Sequence, residues 1–204
     1  MLEITKLIEN GDQVSIELAT DWSEVYYSSY VFLLKNKIFE IEDDYERSLK
    51  VISSVSSNPE LCEKWLREMS VEQFAEEIIP EMKFEHFKDI KPRDIEFIFL
   101  NERKFRIQKD LDETRWGNAT TFERLKDQFK DTEDYVLALG ALLVEVDKDG
   151  KDLPFSLKTF DFVVNNVPDK VLMVELFHHV NFFLRGVKKQ YSKTSQNFLI
   201  VKKR

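Results

Sequence analysis

The chain begins with two short runs of alternating apolar and polar residues, which are separated by the sequence "ENGD". Leu2 and Ile4 belong to the first run, and Val14 and Ile16 to the second. A period of two is typical of half-buried strands, and Asn-Gly is a strong signal for a tight hairpin turn. We therefore predict a β-hairpin over residues 2–18.

Helical spacing of apolar residues replaces this alternation after the sequence "TDWSE". Asp21 is suited to cap a helix, with Glu24 three residues on. Further helix starts are marked by an acidic stretch, by Pro59 after the cap Asn58, and by a Ser70 to Gln73 capping box. The pattern predicts four helices, at about 22–36, 42–55, 59–69 and 71–80.

A polar connector over residues 81–94 leads to a second copy of the same pattern. "IEFIFLNERKFRIQKDL" predicts another hairpin, and "ETRWGNATTFERLKDQF" and "DTEDYVLALGALLVE" predict the helices after it. We match Val14 and Ile16 to Phe105 and Ile107, Trp22 to Trp116, Asp44-Tyr45 to Asp134-Tyr135, and a helix begun by Pro59 to one begun by Pro154. Because hairpin-then-helix is a common unit, a chance similarity is the alternative.

The end of the chain departs from this pattern. "DKVLMVELFHHVNFFLRGVKKQY" predicts one long helix that is apolar on most of its circumference and must be enclosed by other helices or by another chain. "QNFLIVKK" then predicts a terminal strand.

These elements predict an α+β fold that is mainly α-helical, with two quasi-repeated units of a β-hairpin followed by helices and a long buried C-terminal helix. The predicted division is an N-terminal unit at 1–80, a connector at 81–94, a C-terminal unit at 95–191 and a basic arm at 192–204. Two-stranded hairpins are marginal alone, and their open edges invite pairing with another chain.

Charge is distributed unevenly along the 204 residues. Residues 185–204 carry seven basic and no acidic side chains, so the net charge of −8 leaves about −15 on the rest of the chain. An acidic body repels nucleic acid, whereas the basic end can contact phosphate or an acidic neighbour. The single Cys62 predicts a buried thiol in a reducing compartment, and the sequence predicts no secretory signal and no membrane-spanning segment.

No motif in the sequence indicates catalysis, a metal or a cofactor. It has no Gly-x-Ser-x-Gly elbow, its five glycines are isolated, and "EVDKDGKDLP" is interpreted as a turn. His178 and His179 are adjacent on a helix and point about 100° apart, so one ligand cannot meet both. The carboxylates from Glu72 to Glu85 are interpreted as a solvated face, with a metal site as the alternative.

Aromatic and basic residues are interleaved in the second hairpin, a pattern that can bind single-stranded nucleic acid. Alternation, however, puts Phe105 and Ile107 on one face and Lys104, Arg106 and Gln108 on the other. We interpret the run as a strand with a buried side and a charged outside.

The residues expected to matter most are three tryptophans and the chain end. Trp22, Trp65 and Trp116 are predicted structural anchors inside the fold. Partner binding is assigned to a strand-forming arm, with contacts to phosphate or an acidic partner at its basic tip. The arm comprises Phe198, Leu199, Ile200 and Val201, and the tip Lys202, Lys203 and Arg204.

The order of elements, from the hairpin through "DWSEV" and "DDYERSLKVISSV" to "TTFERLKDQF" and "DTEDYVLALGALLV", resembles small helical proteins from the structural-gene regions of tailed bacteriophages. The chain is similar, over roughly residues 14–185, to tail-assembly chaperones and to accessory proteins of the head or portal vertex. The resemblance brings no catalytic residues.

This resemblance implies a non-enzymatic protein of the phage particle that contacts copies of itself or a ring-forming partner, in the virion or in the host cytoplasm during assembly. The alternatives are a soluble chaperone that is absent from the finished particle and a metal-dependent hydrolase.

Overall fold

The computed structural model describes residues 1–7, 12–84, 90–109, 122–126, 128–129 and 132–201, with the side chains of the last helix described as far as Val187. The chain divides into two units, residues 1–91 with 172–174 and residues 92–171 with 175–204. Each unit has its own antiparallel sheet, of two strands in the first and three in the second. The fold is therefore α+β and mainly α-helical, as the sequence predicts.

The first unit opens with the predicted hairpin. Strands β1 (Leu2–Leu7) and β2 (Gln13–Leu18) pair from Leu2 opposite Leu18 to Leu7 opposite Gln13. One face of β2 enters a core that also contains side chains from the helices that follow. This core comprises Ile16, Leu18, Leu49, Ile52, Cys62, Trp65, Leu66, Phe74 and Ile78.

Local capping chemistry sets the helix starts of this unit. Helices α1 (Tyr27–Lys35), α2 (Asp44–Ser54), α3 (Pro59–Glu68) and α4 (Val71–Gln73) follow one another along the chain. The caps of α3 and α4 are the predicted ones: Asn58 accepts from the Leu61 N–H, and Ser70 and Gln73 form the capping box. A π-helical turn, Phe74–Ile78, and a 3₁₀ turn, Ile79–Glu81, extend α4.

The predicted continuous helix over 22–36 is interrupted. Asp21 caps only a 3₁₀ turn, Trp22–Glu24, and α1 begins three residues later. Between them Val25 is extended, and its carbonyl accepts a hydrogen bond from the Met173 N–H at 2.7 Å. A backbone group that bonds to a distant segment cannot also continue a helix, and the sequence pattern carries no sign of this contact.

The second unit is built on a three-stranded sheet rather than on a hairpin alone. Strands β3 (Phe97–Leu100) and β4 (Arg103–Ile107) form the predicted hairpin, and β5 (Leu143–Val146) pairs with the other side of β4. The predicted exposure of Gln108 is wrong, because this side chain is buried just beyond β4. Its N–H donates to the Leu142 carbonyl at 3.0 Å, which holds it against the α-helical segment before β5.

Helices pack beside this sheet. Residues 122–126 are helical, followed by α5 (Asp134–Leu142), α6 (Leu157–Asn166) and α7 (Met173–Val201). The prediction that α5 continues to residue 145 is wrong, since Leu143–Val146 is the strand β5. The prediction that Pro154 begins a helix is also wrong. The Leu153 N–H bonds to the Glu145 carbonyl at 2.8 Å, which keeps that segment extended, and the Ser156 side chain caps α6.

The predicted terminal strand is a further error. Helix α7 continues through Phe198, Leu199 and Ile200 and ends at Val201. Extending a helix adds one hydrogen bond for each residue fixed, whereas a strand needs a separate partner for its backbone. The side chains that line one face of its first half are buried: Met173, Leu176, Phe177, Val180, Phe183 and Val187.

Several of the proposed correspondences between the two units hold in the structure. Phe105 and Ile107 are buried on β4, as Ile16 is on β2. Helices α2 and α5 both begin at an Asp-Tyr pair, at Asp44 and Asp134. The units diverge afterwards, because the helix of the second unit gives way to β5.

Gly140 is the position where α5 and α6 leave least room. A Cβ there would lie 2.4 Å from a carbon of the buried Phe160 ring. We predict that Gly140→Ala lowers the free energy of unfolding by up to about 2 kcal/mol, because overpacking costs about 1–3 kcal/mol and better helix propensity returns about 1. Urea denaturation measures the change.

The Phe160→Leu background provides the control for this prediction. Replacing the ring should remove the clash, so alanine should then cost nothing relative to glycine at position 140. An equal loss in both backgrounds contradicts the proposed clash.

Candidate functional site

Of the four edge strands in the described ranges, two are covered by neighbouring chain. The outer side of β2 bonds to residues 55–57, with the Ser57 N–H donating to the Glu17 carbonyl at 2.8 Å. Beside β5, Val146 bridges Asp152 and the Leu153 N–H donates to the Glu145 carbonyl. Within the described part of the chain, the outer backbones of β1 and β3 have no such cover.

The side chains on these two edges differ in character. On β1 the exposed residues are polar, namely Glu3 and Thr5, and Lys6 forms an ion pair with Glu68. Polar and charged side chains on an edge strand are a common protection against pairing with another chain. On β3, in contrast, the exposed side chain is Phe99, with 71% of its surface accessible to solvent.

The register between β3 and β4 shows which residues of β3 have outward-facing backbone groups. The Ile107 N–H donates to the Glu96 carbonyl at 2.9 Å, which makes that pair a hydrogen-bonded one. Such pairs alternate along an antiparallel ladder, so the N–H and C=O groups of Phe97 and Phe99 point away from β4. Phe97 and Phe99 thus place both open backbone groups and aromatic side chains along one edge, which we call the β3 edge.

Basic side chains on and next to β4 are mostly neutralised. Arg103 makes a bidentate contact with Glu145, with nitrogen–oxygen distances of 2.8 and 2.5 Å. Arg106 binds Asp152 in the same manner at 3.2 and 2.8 Å. Lys109, just beyond the strand, pairs with Asp94.

Lys104 differs from these neighbours. Its Nζ lies 3.8 Å from the centre of the Phe97 ring and 5.7 Å from that of Phe99, and no described carboxylate forms an ion pair with it. Cation–π contacts hold an ammonium group in place without neutralising its charge. A positive charge therefore lies directly beside the aromatic side chains of the β3 edge.

The opposite face of this sheet is well supported. The rings of Phe105 and Phe162 stack with centres 5.9 Å apart, and the Arg103 guanidinium lies 4.1 Å from the Phe162 ring centre. Thr159 on α6 donates to Glu145 at 2.9 Å and accepts from Arg103. The hydrogen bond from Arg103 holds the pKa of the Glu145 carboxyl below its ordinary value, against the opposing effect of burial.

The described tryptophans lie inside the first unit. Trp65 is 7% exposed, belongs to the core of that unit, and has the Lys6 ammonium 5.8 Å from its ring centre. Trp22 is 6% exposed and packs against Phe84, with ring centres 4.7 Å apart, and against Phe39. Trp116 lies outside the described residues.

The predicted partner-binding arm has a different backbone from the one expected. Phe198–Val201 form the last turn of α7, so they do not offer a strand to a neighbour. Lys202, Lys203 and Arg204 lie outside the described residues.

The residues considered for chemistry are dispersed. Glu72, Glu76, Glu77 and Glu81 are exposed, and Glu85 lies outside the described part. Among described residues, no group of three or more His, Cys, Asp or Glu side chains is placed to hold a metal ion.

Two residues with shifted pKa values are withdrawn from solvent, Cys62 fully and His179 in part. Burial raises the pKa of the Cys62 thiol and lowers that of His179. "DKDG" forms the predicted turn, in which the Asp147 side chain accepts from two backbone N–H groups.

Over the described ranges, no helix combines the length and hydropathy that crossing a bilayer requires.

Sequence reasoning did not single out Phe97 and Phe99, which belong to the aromatic and basic run of the second hairpin. All four residues of β3 are apolar, so alternation within the strand does not distinguish its two faces. The register with β4 does distinguish them, because Phe99 lies opposite Lys104 and Phe105 opposite Ile98. The sequence signal that could have identified Phe99 as exposed is the charged residue opposite it, Lys104.

Comparison of the chain with protein-family models, curated proteins and solved structures finds no match. The resemblance to phage proteins therefore rests on the order of elements in the sequence.

Replacing Glu145 tests the support beneath the sheet. We predict that Glu145→Gln lowers the free energy of unfolding at pH 7 by about 1–3 kcal/mol, because a charge-assisted pair becomes a neutral one. The folded-state pKa of Glu145 is lowered, so its contribution is complete above the ordinary value of 4.5 and is lost as the pH falls further. Urea denaturation of the unchanged protein and of Glu145→Gln, at about four pH values between 3 and 7, measures the loss of stability and its pH dependence.

Glu40→Gln is the matched control, since Glu40 is exposed and lies 3.8 Å from Lys37. We expect it to change stability by less than about 0.5 kcal/mol. A loss in Glu145→Gln that does not shrink at low pH contradicts the role assigned to the ionised carboxylate.

Proposed function

We propose that this protein acts through contacts with other proteins, as a non-enzymatic accessory or assembly protein of a tailed-bacteriophage particle. The observation that carries the proposal is the β3 edge, where outward backbone groups of Phe97 and Phe99 have no partner in the described ranges and coincide with an exposed aromatic side chain. Fully burying a phenylalanine is worth about 1.5–3 kcal/mol, so a partner that covers Phe99 gains stability directly.

The phage setting comes from the order of hairpins and helices in the sequence. On this proposal the protein belongs to the head, portal vertex or tail, or works in the host cytoplasm while these parts assemble. Its partners are other structural proteins or further copies of itself, and the basic residues Lys202, Lys203 and Arg204 are candidate contacts to phosphate or to an acidic partner.

A census of native complexes tests the proposal. Complexes that contain the tagged protein are isolated and counted by mass spectrometry, alongside particles purified on a density gradient. We expect the chain in the particles at a fixed ratio to a head, portal or tail protein. Its presence only with unassembled structural proteins would favour the chaperone alternative, and complexes without any structural protein contradict both.

Phe99 itself provides a sharper prediction. We expect Phe99→Ser to lower the amount of protein retained in native complexes by about tenfold or more, since exposed aromatic residues that become buried are frequent hot spots. Quantitative mass spectrometry of the isolated complexes measures the retained amount.

Phe32→Ser is the matched control, because Phe32 is 50% exposed and lies on helix α1 of the other unit. Equal retention of both variants, at the level of the unchanged protein, contradicts the use of the β3 edge.

A further inference from the structure

From the geometry of the β3 edge we infer which kind of partner it accepts. We propose that it binds an extended segment of another protein as a fourth strand of the sheet, and that this segment carries a carboxylate between two apolar residues on the side that faces Phe97 and Phe99. This inference rests on the proposed function and adds the chemistry of the partner.

The backbone determines that the partner is a strand. Phe97 and Phe99 each direct one N–H and one C=O outward. Two residues separated by one are the repeat with which a neighbouring strand forms its hydrogen bonds. An added strand satisfies these groups in pairs, which is the common mode of strand addition to an open sheet edge. A helix offers no such row of backbone groups, because its own turns already use them.

The side chains determine which residues the strand carries. Residues that alternate along the added strand fall beside Phe97 and Phe99 on one face. The exposed Phe99 ring favours an apolar neighbour. The Lys104 ammonium lies over Phe97, only 3.8 Å from the ring centre, so it extends across β3 towards the place of the added strand.

Charge complementarity then selects a carboxylate. Each neighbouring basic residue has a carboxylate partner: Arg103 pairs with Glu145, Arg106 with Asp152 and Lys109 with Asp94. Lys104 pairs with no carboxylate among the described residues and lies over the rings of Phe97 and Phe99. Partial removal of this ammonium from water by a covering strand is costly unless an opposite charge arrives with it. An acidic side chain on the partner supplies that charge.

The same charges argue against nucleic acid at this edge. Binding of single strands relies on a positively charged groove along which bases stack. Among the described residues at this edge, Lys104 alone has a charge that no carboxylate neutralises, and the chain as a whole carries −8.

Capped peptides provide the probe. The peptide Thr-Val-Thr-Glu-Thr-Val-Thr places valine, glutamate and valine on one face of a strand, and a matched peptide has lysine in place of glutamate. Amide hydrogen exchange of Phe97 and Phe99, followed by NMR in the full-length protein, reports strand pairing directly. We expect the acidic peptide to slow both amides by about tenfold or more and to bind about tenfold more tightly than the basic one.

Lys104→Glu should reverse this preference, so that the basic peptide protects the two amides better. Thr5→Glu on β1 is the control, since it places a glutamate on the other uncovered edge in the described ranges and should leave the preference unchanged. The inference is overturned if neither peptide protects the two amides. It is also overturned if the unchanged protein and Lys104→Glu prefer the same peptide, or if oligothymidine protects these amides instead. Concentration-dependent protection without any peptide also overturns it, because the occupant is then a second copy.

Native complexes of Lys104→Glu separate this inference from the proposed function. If this variant is incorporated into particles as fully as the unchanged protein, the inference of an acidic partner strand is wrong and the assembly role still stands. Absence of the unchanged protein from every structural complex removes the assembly role, whatever the peptides do.

Discussion

The backbone groups on both sides of a strand need hydrogen-bond partners, and a hairpin supplies strand partners on one side only. The other side is left to water, to neighbouring chain or to another protein. In the first unit, residues 55–57 cover part of the outer side of β2, and polar side chains protect β1. In the second unit, β5 completes β4 and is itself covered by the chain around Asp152. The outward backbone groups of the β3 edge have no partner among the described residues and lie beside an exposed aromatic side chain, and we propose that another protein supplies the missing strand.

Electrostatics reinforce this arrangement. Arg103 and Arg106 are fixed by bidentate carboxylates, and Arg103 also packs on Phe162 beneath the sheet. These contacts hold the central strand in place, which keeps the position of β3 defined. Lys104 remains charged at the surface, resting on aromatic rings. The β3 edge thus combines open backbone groups with one positive charge, and charge complementarity of this kind contributes to the specificity of the proposed contact.

Features encoded by a few neighbouring residues could be predicted from the sequence. Asn58, Ser70 and Asp21 accept backbone hydrogen bonds within two or three residues, so their capping roles follow from local chemistry. The first hairpin follows from alternation on both sides of Asn-Gly, and the second from alternation in β4 next to a polar turn, in which Asn101 and Glu102 both adopt positive φ.

Features that depend on distant pairing could not be predicted. Leu143–Val146 reads as a continuation of helix α5, and it becomes a strand because β4 needs a partner on its second side. The chain end was predicted as a strand for its apolar run, yet no neighbouring strand is required when α7 simply continues to Val201. The candidate site lies on the β3 edge for the same reason. Its exposure follows from which strands pair, and a single sequence does not state that pairing.

Photo-crosslinking tests the central claim most directly. A benzoyl-phenylalanine is placed at position 99 or, separately, at position 32, the protein is incorporated into its native complex, and the crosslinked peptides are identified after irradiation. Because the β3 edge is proposed to be covered by one strand, position 99 should yield a single segment of one partner protein in which apolar residues alternate around an acidic one, and position 32 should not. No crosslinked peptide at position 99, or the same scattered products from both positions, contradicts the account.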